Sequence, residues 1–463
     1  MILKKYIGTK EFYKRVLVIT LPILIQQIIT NFVSLVDNIM VGQIGTEQMS
    51  GVAIVNQLIF VFNVCVFGGV SGAGIFTAQY FGKGDHKGVR ATFRAKVMIV
   101  SVMALLCIGL FAFFDDELIS LFLHKGEDNL DLAKTLSFGK EYLSIMLLQI
   151  PLFAFVGAYA ATLRETGRTV PPMVGGIVAV CVNILLDYAL IFGVDFLSIP
   201  AMGVRGAAVA TVVSRLCEFL VVVIWTHCNK DKNRFIESAY KSFRIPKDLL
   251  FGILRKGFPL MLNEVLWSTG QAVLTQCYSV RGLEAVSALN ISSTVSNLFF
   301  CAYFAFGSAI SIIVGQLLGA GEIERAKDED RKLIFTAVMA CVVIGGVMAA
   351  FSPLFPQIYN TTDTVKDIAT KCLLISAAMM PFHGFIHTAY FTLRSGGKTV
   401  ITFLFDSVYV WVVLIVAAFT LSRFTSIPIV PMYLLVQSLE IIKCGIGYVL
   451  VKKGIWAKNL VEE

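Results

Sequence analysis

Charge is what this sequence has least of. Asp, Glu, Lys and Arg make up only 15% of its 463 residues, and uncharged stretches recur along the whole length. With 57% apolar residues and a mean hydropathy of +0.78, the chain carries far more oil than a water-soluble domain of its size uses. Other absences narrow the chemistry. The ten cysteines include no CxxC pair, which leaves a metal or disulfide framework without support. No nucleotide-binding loop and no nucleophilic triad stand out, so neither ATP-driven work nor an enzyme has a motif to rest on. The period-two alternation of a transmembrane barrel is missing as well.

What is present is a series of long apolar windows. Twelve of them, from 15–40 to 427–451, are long enough to span a bilayer core. The reading is an all-α membrane protein of twelve transmembrane helices. The first window follows the basic lead "KKYIGTKEFYKR", but it is too long for a signal-peptide core and lacks a small-residue cleavage site, so a retained span is expected. Cys65, Cys107, Cys181, Cys217, Cys277, Cys301, Cys341 and Cys444 lie singly in apolar runs and read as small buried hydrophobes.

Basic residues set the orientation. With twelve spans and an inside N-terminus, one side collects Lys4, Lys5, Lys83, Lys87, Arg90, Arg94, the run from Lys230 to Lys247, and Lys452 and Lys453. Both termini are therefore expected in the cytoplasm, in a multi-pass protein of the cell membrane. Topology thus accounts for the net charge of +8, and no nucleic-acid partner is implied.

Slid on itself by 237 positions, the sequence aligns 22–94 with 259–331 without a gap. Pro22 meets Pro259, Glu47 meets Glu284, Gln79 meets Gln316, Gly82 meets Gly319 and Gly84 meets Gly321. Apolar bias does not produce matches of those residue types, so the repeat is real. A second pair, "TLRETGRTV" at 162–170 and "TLRSGGKTV" at 392–400, matches at a shift of 230. Each copy holds six spans. An even number makes the copies enter the membrane in the same direction, as two six-helix lobes related by a pseudo-twofold along the membrane normal. The expected division is an N-lobe at 1–228, a cytoplasmic linker at 229–247 and a C-lobe at 248–463. The glycines after the second span of each copy read as helix-end turns, since the loop lacks the Gly-Lys-Ser/Thr spacing of a phosphate cradle.

Polar residues inside the spans carry the functional signal. Gln27, Asn31, Ser34 and Asn38 form one helical stripe on span 1, and at the shift of 237 Glu264, Ser268, Gln271 and Thr275 repeat it on span 7. Both helices then turn a polar face inward, either as interhelical hydrogen-bonding glue or as cavity lining. Acids are a different matter: a carboxylate at depth costs at least about 2.5 kcal/mol and usually marks an ion or proton path. Asp37 has no basic residue in its own span, and neither has Asp187, which follows Asn183 by four on span 5. Buried together, the two acids would share a proton or bind Na⁺ with the Asn183 oxygen. Arg215 with Glu218, and Asp406 with Glu440 and Lys443, are expected to satisfy one another. His383 and His387 face one way on span 10 and either line a cavity or pack; zinc would need further ligands at their depth. Pro22, Pro151, Pro259, Pro353 and Pro381 should kink or end helices.

"VDNIMVGQIGTEQMSGVA", "TLRETGRT", "NILLDYALIFG", "GVRGAAVAT" and "VGQLLGAGEIERA", in that order, resemble the MATE (multidrug and toxic compound extrusion) transporters over nearly the whole chain. The resemblance implies a two-lobed antiporter that exports small organic cations and drugs in exchange for H⁺ or Na⁺ by alternating access, with no other cofactor, acting in the lipid bilayer as a monomer. It places a coupling site on Asp37, Asn183 and Asp187, with Tyr142 and Thr211 as further members. The expected substrate cavity takes Gln27, Asn31, Ser34, Glu264, Ser268, Gln271, His383 and His387. One branch of the family carries an acid on span 10 where this chain has His383, so coupling falls to the N-lobe. The rival reading, a lipid-linked oligosaccharide flippase of the same superfamily, needs several basic residues in its cavity, and the spans offer chiefly Arg215 and Lys443.

Overall fold

Continuous apolar runs without alternation satisfy their backbone groups in one way, by closing hydrogen bonds within each segment. The computed structural model describes residues 5–122, 131–194 and 200–462, and within α1 the side chains of Val33, Ser34, Leu35, Asn38 and Ile39 fall outside that description. Among the described residues every extended element is helical. In chain order these are α1 (Lys10–Gly42), α2 (Thr46–Lys83), α3 (His86–Phe113), α4 (Asp115–Ser120), α5 (Leu132–Met146), α6 (Gln149–Glu165), α7 (Val170–Phe192) and α8 (Val204–Cys228). After the linker follow α9 (Lys247–Ser279), α10 (Leu283–Gly319), α11 (Ile323–Phe351), α12 (Asp363–Ser395), α13 (Thr399–Phe403), α14 (Ile415–Phe424), α15 (Ile429–Ser438) and α16 (Glu440–Lys452).

Among the described residues ten helical segments are long and apolar enough to cross a membrane, and α5 with α6 makes an eleventh, bent by 47°. Pro151 lies in the first turn of α6, where its missing N–H is tolerated and the chain changes direction. The twelfth is α9. Its 33 residues are ample in length, but Asn263, Glu264, Ser268, Thr269 and Gln271 dilute its apolarity. Pro22, Pro259 and Pro381 lie inside α1, α9 and α12, whereas Pro353 follows the end of α11. Of the cysteines, Cys277, Cys301 and Cys341 are buried, while Cys181 sits on the exterior. In a protein of this kind that exterior is lipid, so an apolar run does not guarantee a place in the core.

The chain divides into two compact units. One comprises Met1–Leu24, Ala78–Asp85 and Ile253–Glu463; the other comprises Ile25–Thr77 and His86–Gly252. In the first, α10 and α12 build a core around Ile310, Ile313, Leu318, Leu333 and Leu393, joined by Val16, Ile19 and Ile23 of α1 and by Trp456 beyond α16. The end of α2 meets α10 at a pair of glycines. A methyl on Gly82 would fall 1.8 Å from the Gln316 carbonyl oxygen, and one on Gly319 would fall 1.9 Å from that of Gln79. These are the positions that the shift of 237 superposes, and only glycine fits such an approach.

The same matches explain how four helices end. After α2, Asp85 N–H donates to Tyr80 O at 2.9 Å and Gly84 N–H to Phe81 O at 3.0 Å; after α10, Glu322 and Gly321 repeat the pattern on Leu317 and Leu318 at 3.0 and 3.1 Å. Gly84 and Gly321 share a φ of 78°. Gly167 after α6 and Gly397 after α12 make the equivalent pair, at φ 77° and 72°. Each is a left-handed glycine closing a helix, as the sequence leads one to expect.

In the second unit the linker is not loose. Arg94 of α3 donates to the carbonyls of Ala239 and Ser238 at 2.7 and 2.8 Å, and Arg90 to that of Arg234 at 3.0 Å. Phe235 and Tyr240 pack on Phe93. Beneath them Lys96, wholly buried, pairs with Glu165 and donates to the Thr162 hydroxyl at 3.1 Å. Gly74 leaves room for the Glu165 carboxylate.

Candidate functional site

A cavity of about 110 Å³ lies in the second unit, lined by Thr30, Asp37, Gly176, Ala179, Val180, Asn183, Thr211, Ser214, Arg215 and Glu218. At roughly 30 Å³ per water molecule it holds an ion with a few waters, and it is well below the several hundred Å³ that a drug-sized molecule fills. Three helices supply the walls: α1 brings Thr30 and Asp37, α7 brings Asn183, and α8 brings Thr211. Gly176 lets α1 close in, since a Cβ there would stand only about 3.2 Å from the Gln26 side chain, a tight contact.

Asp187 is 1% exposed and Asn183 8%, one helical turn apart on α7. The Asp187 carboxyl lies beside that of Asp37, close enough for the two to interact directly. Two carboxyls that close share a hydrogen bond only when one of them carries the proton. Oδ1 of Asp37 and Oδ1 of Asp187 are both buried and accept no hydrogen bond. Among the described residues neither acid forms an ion pair. Asp37 lines the cavity together with Asn183 and Thr211, and carboxylate, amide and hydroxyl oxygens are the donor set that a hard monovalent cation or a proton takes.

Tyr142 completes the group from α5, four residues before the bend. Its hydroxyl donates to Asn56 Oδ1 at 3.2 Å and lies beside the Thr211 hydroxyl, within the electrostatic reach of both acids. Thr211 anchors itself by donating to the Ala207 carbonyl at 3.0 Å. All five residues expected at the coupling site are therefore brought into one place. The Arg215 guanidinium on the same wall is engaged by Glu218 at 2.6 Å and lies over the Phe153 ring, as the pairing expected of it requires.

Some of the site escapes the sequence reading. Asn56 of α2 was not singled out; with Asn63 it forms a seven-residue repeat on one helix face, a signal of the kind that marked α1. On α1 the wall is made by Thr30 and Asp37, one residue off the Gln27–Asn31 register, and Gln27 and Asn31 are only half-buried. The Ser34 side chain lies outside the described residues.

The other expected cavity residues fall in the first unit, at two places. Glu264 accepts from the Tyr390 hydroxyl at 3.2 Å. His387 stacks on Tyr303 with centroids 4.1 Å apart and planes at 14°, and His383 lies beside Phe300 and the same tyrosine. On α9, Ser268 donates to the Val265 carbonyl at 3.0 Å and Thr275 to that of Gln271, while Gln271 itself is exposed. The two hydroxyls are satisfied by their own helix, so neither glues helices together.

These features define a helical membrane protein with an ion-sized, acid-lined cavity in its interior. The sequence model of the MatE family matches residues 22–189 and 259–420, and the chain belongs to that family. The two matched segments begin 237 residues apart, the shift at which the sequence aligns with itself. Relatives include the probable multidrug resistance protein NorM of Thermotoga maritima, 26% identical with 97% of this chain and 94% of the relative covered. The probable multidrug resistance protein YoeA of Bacillus subtilis is 24% identical over 88% and 86%. Among solved structures, an outward-facing multidrug resistance MATE family transporter of the MOP superfamily superposes with a TM-score of 0.84 at 17% identity, covering 95% of this chain and 96% of that one.

Proposed function

We propose that this protein is a secondary active multidrug antiporter that exports small organic cations from the cell in exchange for H⁺ or Na⁺ by alternating access. The Asp37–Asp187 pair is the coupling site, with Asn183, Thr211 and Tyr142 as its polar surround. In the doubly charged form the two carboxylates repel, and a proton or Na⁺ between them relieves that repulsion. Ion occupancy then changes the relative stability of conformations that differ in how closely α1 and α7 approach, which is the differential affinity that any coupled transport needs. Both termini face the cytoplasm in this reading, and the monomer is the working unit.

The observation that carries the reading is the meeting of two acids, each with a buried, unpartnered oxygen, that form no ion pair among the described residues. The names of the relatives support the substrate class. Among the described residues of the cavity wall the one guanidinium, that of Arg215, is held by Glu218, which disfavours recognition of a lipid pyrophosphate. Reconstitution in liposomes tests the proposal, with an inward H⁺ gradient, an inward Na⁺ gradient or neither imposed on a trapped fluorescent organic cation. Efflux should follow one of the two gradients; flux indifferent to both contradicts antiport.

A further inference from the structure

The first unit solves the same electrostatic problem differently. Lys443 of α16 is 3% exposed. Its ammonium donates to Asp406 Oδ1 at 2.8 Å and stands 3.8 Å from Glu440 Oε2. It also lies over the rings of Phe405 and Tyr409, 5.5 and 5.7 Å from their centroids. A carboxylate in contact, a second one nearby and two ring faces are the surroundings in which proteins recognise a free organic ammonium.

The frame around that ammonium does not depend on it. The second Asp406 oxygen accepts from Asn263 Nδ2 at 3.0 Å, and Asn263 Oδ1 accepts from the Ser407 N–H at 3.3 Å and hydroxyl at 2.8 Å. Phe405, Asp406 and Ser407 belong to the π-helical turn Leu404–Val408, a rare geometry that is common at functional sites. Tyr409 is fixed separately, its hydroxyl donating to the Leu439 carbonyl at 2.6 Å. Glu440 is 7% exposed and its Oε2 has no hydrogen-bond partner; among the described residues its one ion pair is with this ammonium.

The geometry points to Lys443 as a tethered ligand in an ammonium-binding cage formed by Phe405, Asp406, Tyr409 and Glu440. The chain fills with its own side chain a site that otherwise takes an alkylammonium. One functional consequence rests on the coupling role proposed above: with Lys443 in the cage, Asp406 and Glu440 need no mobile cation, which leaves coupling to Asp37 and Asp187. The cage itself does not rest on that role.

The test is chemical complementation in the purified full-length protein, read by thermal unfolding without any transport step. Lys443→Ala should melt below the wild type, and n-propylammonium chloride should raise its melting temperature saturably by a few degrees. Choline chloride at equal ionic strength should not, and the wild type should not respond to either. Asp406→Asn added to Lys443→Ala should abolish the response. If the single variant is recovered only from membranes solubilised with n-propylammonium present, the cage is equally supported. A folded single variant without a saturable shift, a double variant that responds as strongly, or a single variant that n-propylammonium does not recover would each overturn it.

Discussion

The carboxyls of Asp37 on α1 and Asp187 on α7 lie side by side, and Oδ1 of each is buried without accepting from any donor. In the other unit Asp406 has Lys443 at 2.8 Å. Among the described residues Asp406 therefore has an ion-pair partner, and Asp37 and Asp187 have none.

Asp187→Asn keeps the shape of the site and removes one of the two charges. Gradient-driven export should fall by at least about tenfold, the effect of losing roughly 1.4 kcal/mol of differential ion binding. Substrate binding to the purified protein should change little. Transport in vesicles together with substrate titration of the detergent-solubilised protein checks both halves.

Tyr142→Phe removes the hydroxyl that donates to Asn56 and leaves the ring. The loss of about 1 kcal/mol typical of such a bond should raise the half-saturating concentration of the coupling ion about fivefold. Combining it with Asn56→Ala should be clearly less than additive, because both ends of one hydrogen bond are then gone. A double-mutant cycle on ion-dependent transport measures this.

Lys96 is fully buried and compensated by Glu165 and Thr162. Lys96→Met should destabilise by about 3–5 kcal/mol, because it strands a largely buried carboxylate. Adding Glu165→Gln should restore most of the loss. Melting temperatures of the three variants in detergent decide it.

The segment after α16 is part of the core of its unit. Trp456 is 1% exposed, and Gln79 holds the segment beyond it, donating to Lys458 O at 3.2 Å and accepting from Leu460 N–H at 2.7 Å. Trp456→Ala should cost about 3–5 kcal/mol. Gln79→Ala should leave the helices intact but speed proteolytic removal of the last residues, visible by intact-mass spectrometry.

The architecture was legible because membrane insertion imposes crude rules: windows of sufficient length, basic loops on one side, and a repeat that glycines and glutamines reveal. Asp37 and Asp187 stood out for the same reason, since a carboxylate in oil is costly enough to be noticed one residue at a time. The α1 stripe shows the limit. A spacing of four and three fits Gln27 and Asn31 as well as Gln26 and Thr30, and the choice depends on helix rotation, which Gly176 on α7 helps set. Asn56 was hidden because a lone amide in an apolar helix has many structural uses, and its partner Tyr142 is 86 residues away. The tight docking of the segment after α16 had no signal in composition at all.

The most direct test compares wild type and Asp37→Asn in the same liposomes, measuring gradient-driven accumulation of an organic cation and its gradient-free exchange side by side. The account predicts that the variant still exchanges substrate but no longer accumulates it under either an H⁺ or a Na⁺ gradient. Accumulation by Asp37→Asn equal to that of the wild type would contradict the assignment of the coupling ion to the Asp37–Asp187 pair.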